Sequence, residues 1–98
     1  MPMNGFGFIN SSISLVVSRT TVKLHTVVLL VSTTGGDITI YEGLDATSGR
    51  KIATLKGTAN VSTPVDFGGI RCSRGLYVAV GSNVSEYTVI FEYSPVAV

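Results

Sequence analysis

Short runs of Val, Ile, Thr, Tyr and Phe recur along this chain roughly every 8–12 residues, with clusters of Gly, Ser, Asn and Asp between them. That rhythm belongs to a sandwich or barrel of short strands. No window of about 20 residues carries an apolar stripe at the helical period of about 3.6. The chain is therefore expected to be all-β, with strands over residues 12–18, 21–32, 38–42, 50–55, 59–67, 70–72, 76–80 and 86–93. The runs 27–32 and 38–42 flank a turn cluster at 33–37, where Gly35-Gly36-Asp37 offers the positive φ of a hairpin. Ser73-Arg74-Gly75 and Gly81-Ser82-Asn83 read as further tight reversals.

Alternation divides these strands into faces, because successive side chains on a strand point opposite ways. Leu76, Val78 and Val80 share one side of their strand, with Tyr77 and Ala79 on the other. Tyr87, Val89, Phe91 and Tyr93 share a face, while Thr88, Ile90 and Glu92 point away. Residues 27–31 are apolar on both sides, which suits a strand lying between two layers or covered by another subunit.

The ends differ from the middle. Residues 1–10 hold Phe6, Phe8 and Ile9, spaced by Gly5 and Gly7 after Pro2. Apolar side chains on a Gly-interrupted leader gain little by ordering alone. They fit an arm that docks on a neighbouring chain by strand addition or pocket filling, or else a first strand. After Pro95, Val96 and Val98 form a tail free to cover an apolar surface. The organisation expected is an arm at 1–10, a sandwich at 11–93 and a tail at 94–98, with Phe6, Phe8, Ile9, Val96 and Val98 as candidate interface residues.

A chain of 98 residues fits one domain that buries roughly 60–65% of its unfolded surface. Its 13% of charged residues is about half the usual share of roughly 25%. Such a surface suits a protein packed against neighbours. The seven basic side chains, Arg19, Lys23, Arg50, Lys51, Lys56, Arg71 and Arg74, are scattered, and the net charge is +1. Neutralising phosphates needs clustered cations, so nucleic acid is not an expected partner. The first basic residue is Arg19, so the leader lacks the charged start of a signal peptide, and residues 26–31 are too short to span a bilayer. The expectation is a soluble protein made in a cytoplasm, with no membrane partner.

Little in the chain resembles reactive chemistry. The single Cys72 reads as a small apolar residue, and His25, the lone histidine, as an ordinary half-exposed one. Asp37, Glu42, Asp45 and Asp66 could offer hard oxygen ligands, but Asp45 lies in a loop without calcium-loop spacing, and turn chemistry accounts for all four. Gly5-Phe6-Gly7 and Gly68-Gly69 lack the strand-to-helix context of a phosphate cradle. The glycosylation-like triplets at Asn10, Asn60 and Asn83 read as turns. The chain is expected to be no enzyme and to need no cofactor or metal.

Five segments do carry a resemblance: Leu24-His25, the hairpin-like stretch ending Ile38-Thr39-Ile40-Tyr41-Glu42-Gly43, the run from Ile52 to Leu55 in ATSGRKIATL, the GLYVAVG of residues 75–81, and residues 88–92 in YTVIFEY. In order and spacing they resemble a family of small tailed-phage virion proteins, over roughly residues 24–93. That pattern runs "LH", "IxIYDG", "ATGxxIxTL", "VxFxxGLYVxVGG" and "TVxYE". This chain departs from it at Glu42, where Asp is usual, and at Arg71-Cys72-Ser73-Arg74. The resemblance implies a single antiparallel β-sandwich, jelly-roll-like, with an immunoglobulin-like arrangement as the alternative. It further implies a capsid decoration or cement protein on the virion surface, bound to the major capsid protein and other virion proteins, as a homotrimer. A tail, baseplate or head-fibre position and a carbohydrate- or receptor-binding module are the alternatives. No catalytic residue comes with the resemblance, only strand and turn positions.

Overall fold

Apolar residues at alternate positions leave each strand with one face to bury, and here two sheets bury those faces against each other. The computed structural model describes residues 5–32 and 36–93. Its strands are β1 (Phe6–Ser11), β2 (Leu15–Ser18), β3 (Val22–Val31), β4 (Asp37–Glu42), β5 (Arg50–Lys56), β6 (Thr63–Cys72), β7 (Leu76–Val80) and β8 (Val84–Tyr93). They form two antiparallel four-stranded sheets, ordered β1-β8-β3-β6 and β2-β7-β4-β5.

The chain doubles back at loop 43–49, so that β4 pairs with β5, β3 with β6, β2 with β7 and β1 with β8. Pairing of β3 with β8 and of β4 with β7 closes this long ribbon into two sheets. An eight-stranded ribbon rolled up in this order is a jelly roll. The immunoglobulin alternative, which distributes its strands differently between the sheets, is set aside.

The core lies between the sheets. Strand β3 contributes Val22, Leu24, Val27, Leu29 and Val31, and β8 contributes Tyr87, Val89 and Phe91. Across from them stand Val17, Ile38, Ile40, Leu76 and Val78, with Cys72 beside them from β6. The faces expected for the strands at 76–80 and 86–93 are those observed, except that Tyr93, at the end of its strand, is exposed. No side-chain N or O atom in the described residues is buried without a hydrogen-bond partner.

Several sequence expectations are corrected. Strands β3 and β4 form no hairpin; they lie in different sheets. Ten-residue β3 is flanked by equally long β6 and β8, a match that six-residue β4 cannot offer. The glycine at the end of that link serves close approach rather than a hairpin turn. A Cβ on Gly36 would stand 2.6 Å from Val31 Cγ1 and 2.7 Å from the Asn83 carbonyl oxygen. The strands expected at 59–67 and 70–72 are one strand, β6, kinked where Gly68 and Gly69 take φ of 71° and 91° and the register with β3 shifts. Residues 59–62 instead hook onto the end of β3, with Asn60 N–H donating to the Val31 carbonyl at 2.9 Å. Asn60 and Asn83 do turn the chain, each at φ 60°, but Asn10 lies within β1 and donates to Thr88 Oγ1 at 2.8 Å.

The expected arm is corrected as well. Residues 6–11 form a full edge strand in unbroken register with β8, from Phe6 opposite Glu92 to Ser11 opposite Tyr87. The sandwich therefore includes residues 6–10, and the crossover to β2 occupies the start of the strand expected at 12–18. That crossover is tied down by the Tyr87 hydroxyl, which donates to the Ile13 carbonyl at 2.7 Å, and by Val80 N–H, which donates to Ser14 Oγ at 2.8 Å. Residues 1–4 and the tail at 94–98 lie outside the described residues.

Candidate functional site

The outer face of the β1-β8-β3-β6 sheet can be read row by row from the register. One row is Phe6, Glu92, Lys23 and Arg71; the next is Phe8, Ile90, Thr26 and Asp66; a third is Asn10, Thr88, Val28 and Pro64. Leu30 continues the β3 column opposite Glu86. Glu92, Lys23 and Arg71 gather at one end, Asp66 lies on the β6 margin and Glu86 at the far end, and between them runs an apolar stripe of Phe8, Ile90, Val28 and Leu30. The double-sided apolarity of residues 27–31 has its explanation here. Val27, Leu29 and Val31 fill the core, while Val28 and Leu30 lie half-exposed on an outer face that no described element covers.

Strand β1 is the most exposed apolar part of this face. Phe6 is 64% exposed and Phe8 72%, values unusual for aromatic rings, which bury large areas when they can. Phe6 leans on His25, with ring centroids 4.8 Å apart, and His25 Nε2 lies 3.1 Å from Glu92 Oε1. The inner side of the same strand is closed. Ile9 packs against the core, and the Phe91 and Tyr93 rings lie over Gly7, where a Cβ would meet them at 3.1 Å.

The candidate interface residues separate accordingly. Phe6 and Phe8 come together on the outer face of β1, whereas Ile9 points inward and is no docking residue, because alternation along the strand turns it away from its neighbours. Val96 and Val98 lie outside the described residues. The apolar stripe on β8 and β3 was missing from the candidates. Its signal was present in the two-sided apolarity of residues 27–31, but only pairing shows that Ile90 and Phe8 continue it.

The other face-forming sheet offers a smaller feature. Tyr41 and Tyr77 pair across β4 and β7 on its outer side, with ring centroids 6.2 Å apart, between Val16 and Lys51. Thr39 and Thr54, their hydroxyls 3.3 Å apart, lie in the neighbouring row.

The reactive side chains are dispersed and locally used. Cys72 is fully buried on β6, where desolvation first and the Glu42 charge second push its thiol up to about 11. A thiol in that state is a poor nucleophile. His25 faces the opposite side of the sheet. Asp45 Oδ1 accepts from Thr47 N–H, Ser48 N–H and Ser48 Oγ at 3.0, 2.7 and 2.8 Å, so the carboxylate builds loop 43–49. Ser48 holds that carboxyl below the usual range, through its N–H first and its hydroxyl second. Glu42 Oε2 accepts from Ser73 N–H and Oγ, both at 2.9 Å, and the Ser73 hydroxyl is the main reason its carboxyl is also lowered. Asp66 accepts from Gly68 N–H at 2.8 Å, inside the β6 kink. Among the described residues no three His, Cys, Asp or Glu side chains converge, and no helix is long and apolar enough to cross a membrane.

What this arrangement offers is a surface: outward main-chain groups along the β1 edge and an apolar stripe beside it. No protein-family model matches the chain, and no curated protein matches its sequence.

Proposed function

We propose that this protein is a structural component of a tailed-phage virion, and within the particle a capsid decoration or cement protein bound to the outer face of the major capsid protein. The observation that carries the reading is the exposed, uncharged aromatic edge formed by Phe6 and Phe8 on a low-charge jelly roll. It joins the order of sequence segments described above.

In this reading the rigid sandwich bridges neighbouring capsomers. Phe6 and Phe8, with the stripe of Ile90, Val28 and Leu30, meet an apolar patch of the shell, and the β1 edge adds main-chain hydrogen bonds. Interface centres are depleted of charge, as the stripe of Phe8, Ile90, Val28 and Leu30 is. Each bridge can be weak, because many copies on a symmetric shell act together. The protein acts as a homo-oligomer, with three-fold grouping as the expected order, and performs no chemistry.

Quantitative mass spectrometry of purified particles tests the reading. A content close to one copy per major capsid subunit supports the cement role. A few copies per hundred capsid subunits reassigns the protein to a tail, baseplate or head-fibre position. Absence from particles rejects the virion reading altogether. One observation favours a different class: the adjacent Tyr41 and Tyr77 rings could stack on a sugar ring, as carbohydrate-binding faces do. A glycan screen of the isolated protein separates the two, since binding abolished by Tyr77→Ala and retained by Phe8→Ala would establish a glycan-binding module.

A further inference from the structure

We propose that β1 pairs antiparallel, edge to edge, with β1 of a second copy of this chain about a two-fold axis at Phe8, making one continuous sheet across the pair. The inference concerns the isolated protein and does not rest on the virion reading, in which the shell takes the place of the second copy on this edge.

The main chain points to it first. Tyr93 N–H donates to the Gly5 carbonyl at 2.9 Å, and the β1–β8 register from there is unbroken. Antiparallel pairing alternates, so Gly5, Gly7, Ile9 and Ser11 exchange hydrogen bonds with β8. The N–H and C=O groups of Phe6, Phe8 and Asn10 therefore face away from the sheet, where no described strand meets them. Three successive outward residues centred on Phe8 match their own copy when Phe8 faces Phe8 and Phe6 faces Asn10.

The contrast with the other edges is the second argument. Natural sheets guard their edges with short strands, bulges, Pro and charge. Strand β2 has four residues and a register shift. Strand β5 carries Arg50, Lys51 and Lys56 and a register shift. Strand β6 carries Pro64, Asp66, Arg71 and the Gly68–Gly69 kink. Self-pairing of β5 would crowd like charges; self-pairing of β1 brings no charge opposite another, because Phe6–Ser11 contains none.

Shape agrees with charge. In the register centred on Phe8, Gly7 of one copy faces Ile9 of the other on the inner side, so a missing side chain meets a branched one. On the outer side the two Phe8 rings, the most exposed large apolar side chains described, cover each other. One pair of six-residue strands is smaller than the standard interface of roughly 1,200 Å² or more, so the pair is weak and concentration-dependent. A two-fold contact makes dimers; a three-fold grouping would have to use another surface.

Sedimentation equilibrium of the full chain over a wide concentration range tests this, with amide exchange measured at its two ends. We expect a species of twice 10.3 kDa to appear with concentration, and the Phe6, Phe8 and Asn10 amides to slow together as it does. Phe8→Arg, which sets two cations at the axis, should weaken the association at least about tenfold, equivalent to about 1.4 kcal/mol. Phe8→Pro removes the outward N–H together with the ring and fixes φ at about −65°, so it should weaken the association too, with the thermal midpoint recorded beside it to read any cost to β1 itself. Thr54→Arg on the β5 edge should have no effect. A monomer at every concentration overturns the proposal; if its Phe8 amide is nonetheless slow, the edge belongs to another segment of the same chain. An oligomer unmoved by both Phe8 variants overturns it too, since the contact then lies elsewhere.

Discussion

The two links on either side of β4 look interchangeable by composition, yet one crosses between the sheets and the other is, among the described strands, the only connection that joins neighbours in one sheet. The link from β3 holds the Gly-containing cluster that reads most readily as a hairpin turn, and it carries the chain from one sheet to the other. The link to β5, residues 43–49, is longer and less hairpin-like, yet it reverses the chain between adjacent strands. The difference lies in what waits on either side. Strand β3 needs long partners on both edges and finds them in β6 and β8; β4 finds partners within one residue of its own length in β5 and β7. Turn chemistry permits a reversal, and strand pairing decides whether one occurs.

Experiments can break this contrast, starting from the strongest expected effect. Leu29→Ala removes a buried side chain by which β3 faces the opposite sheet, and should cost about 2–5 kcal/mol in denaturant unfolding. A much smaller loss would mean that β3 contributes little beyond its pairing. Gly36→Val tests the crossing link by driving side-chain atoms into Val31 and the Asn83 carbonyl, at an expected cost of about 1–3 kcal/mol. If the link were a loose tether, the unfolding midpoint would not move. Asp45→Ala tests the reversing loop by taking away the acceptor of three local hydrogen bonds, with a smaller fall in the unfolding midpoint than either of the two preceding variants.

The same loop end should carry the acid sensitivity of the fold. The Glu42 and Asp45 carboxyls are both lowered from their ordinary values of 4.5 and 3.8 in the folded protein. A lowered folded value means that the unfolded chain binds protons first, so each contribution is complete above the ordinary value and is lost as pH falls through the folded one. Stability should thus be level near neutrality and decline below 4.5, and Glu42→Gln should flatten the upper part of that decline. An unchanged slope in that variant would remove Glu42 from the account. The smallest effect is expected at the surface: Phe8→Ala should change stability by less than about 0.5 kcal/mol, because its side chain rests on little else. The same substitution in the particle should weaken attachment to the shell, a readout that separates a binding role from a folding one.

Much of this was legible before any coordinates. Inward faces at Leu76 and Val78, and at Tyr87, Val89 and Phe91, follow from alternation over a few residues. The positions of Asn60 and Asn83 as turns follow from their tolerance of positive φ. The candidate surface was half legible. Phe6 and Phe8 stand out as aromatics without an obvious core, but the sequence cannot say that Gly7 lies beneath two rings and thereby seats β1 on β8.

Local patterning determined the class of this protein: an all-β chain with strands of known face and a surface unusually poor in charge. These are properties of neighbouring residues, and a period of two can be read over any short window. The tertiary structure alone decided which strand lies beside which. The ladders join residues as far apart as Phe6 and Glu92, and no local signal encodes that partnership. Because the pairings decide the edges, they also decided which strand is left with three outward peptide groups and two exposed phenylalanines.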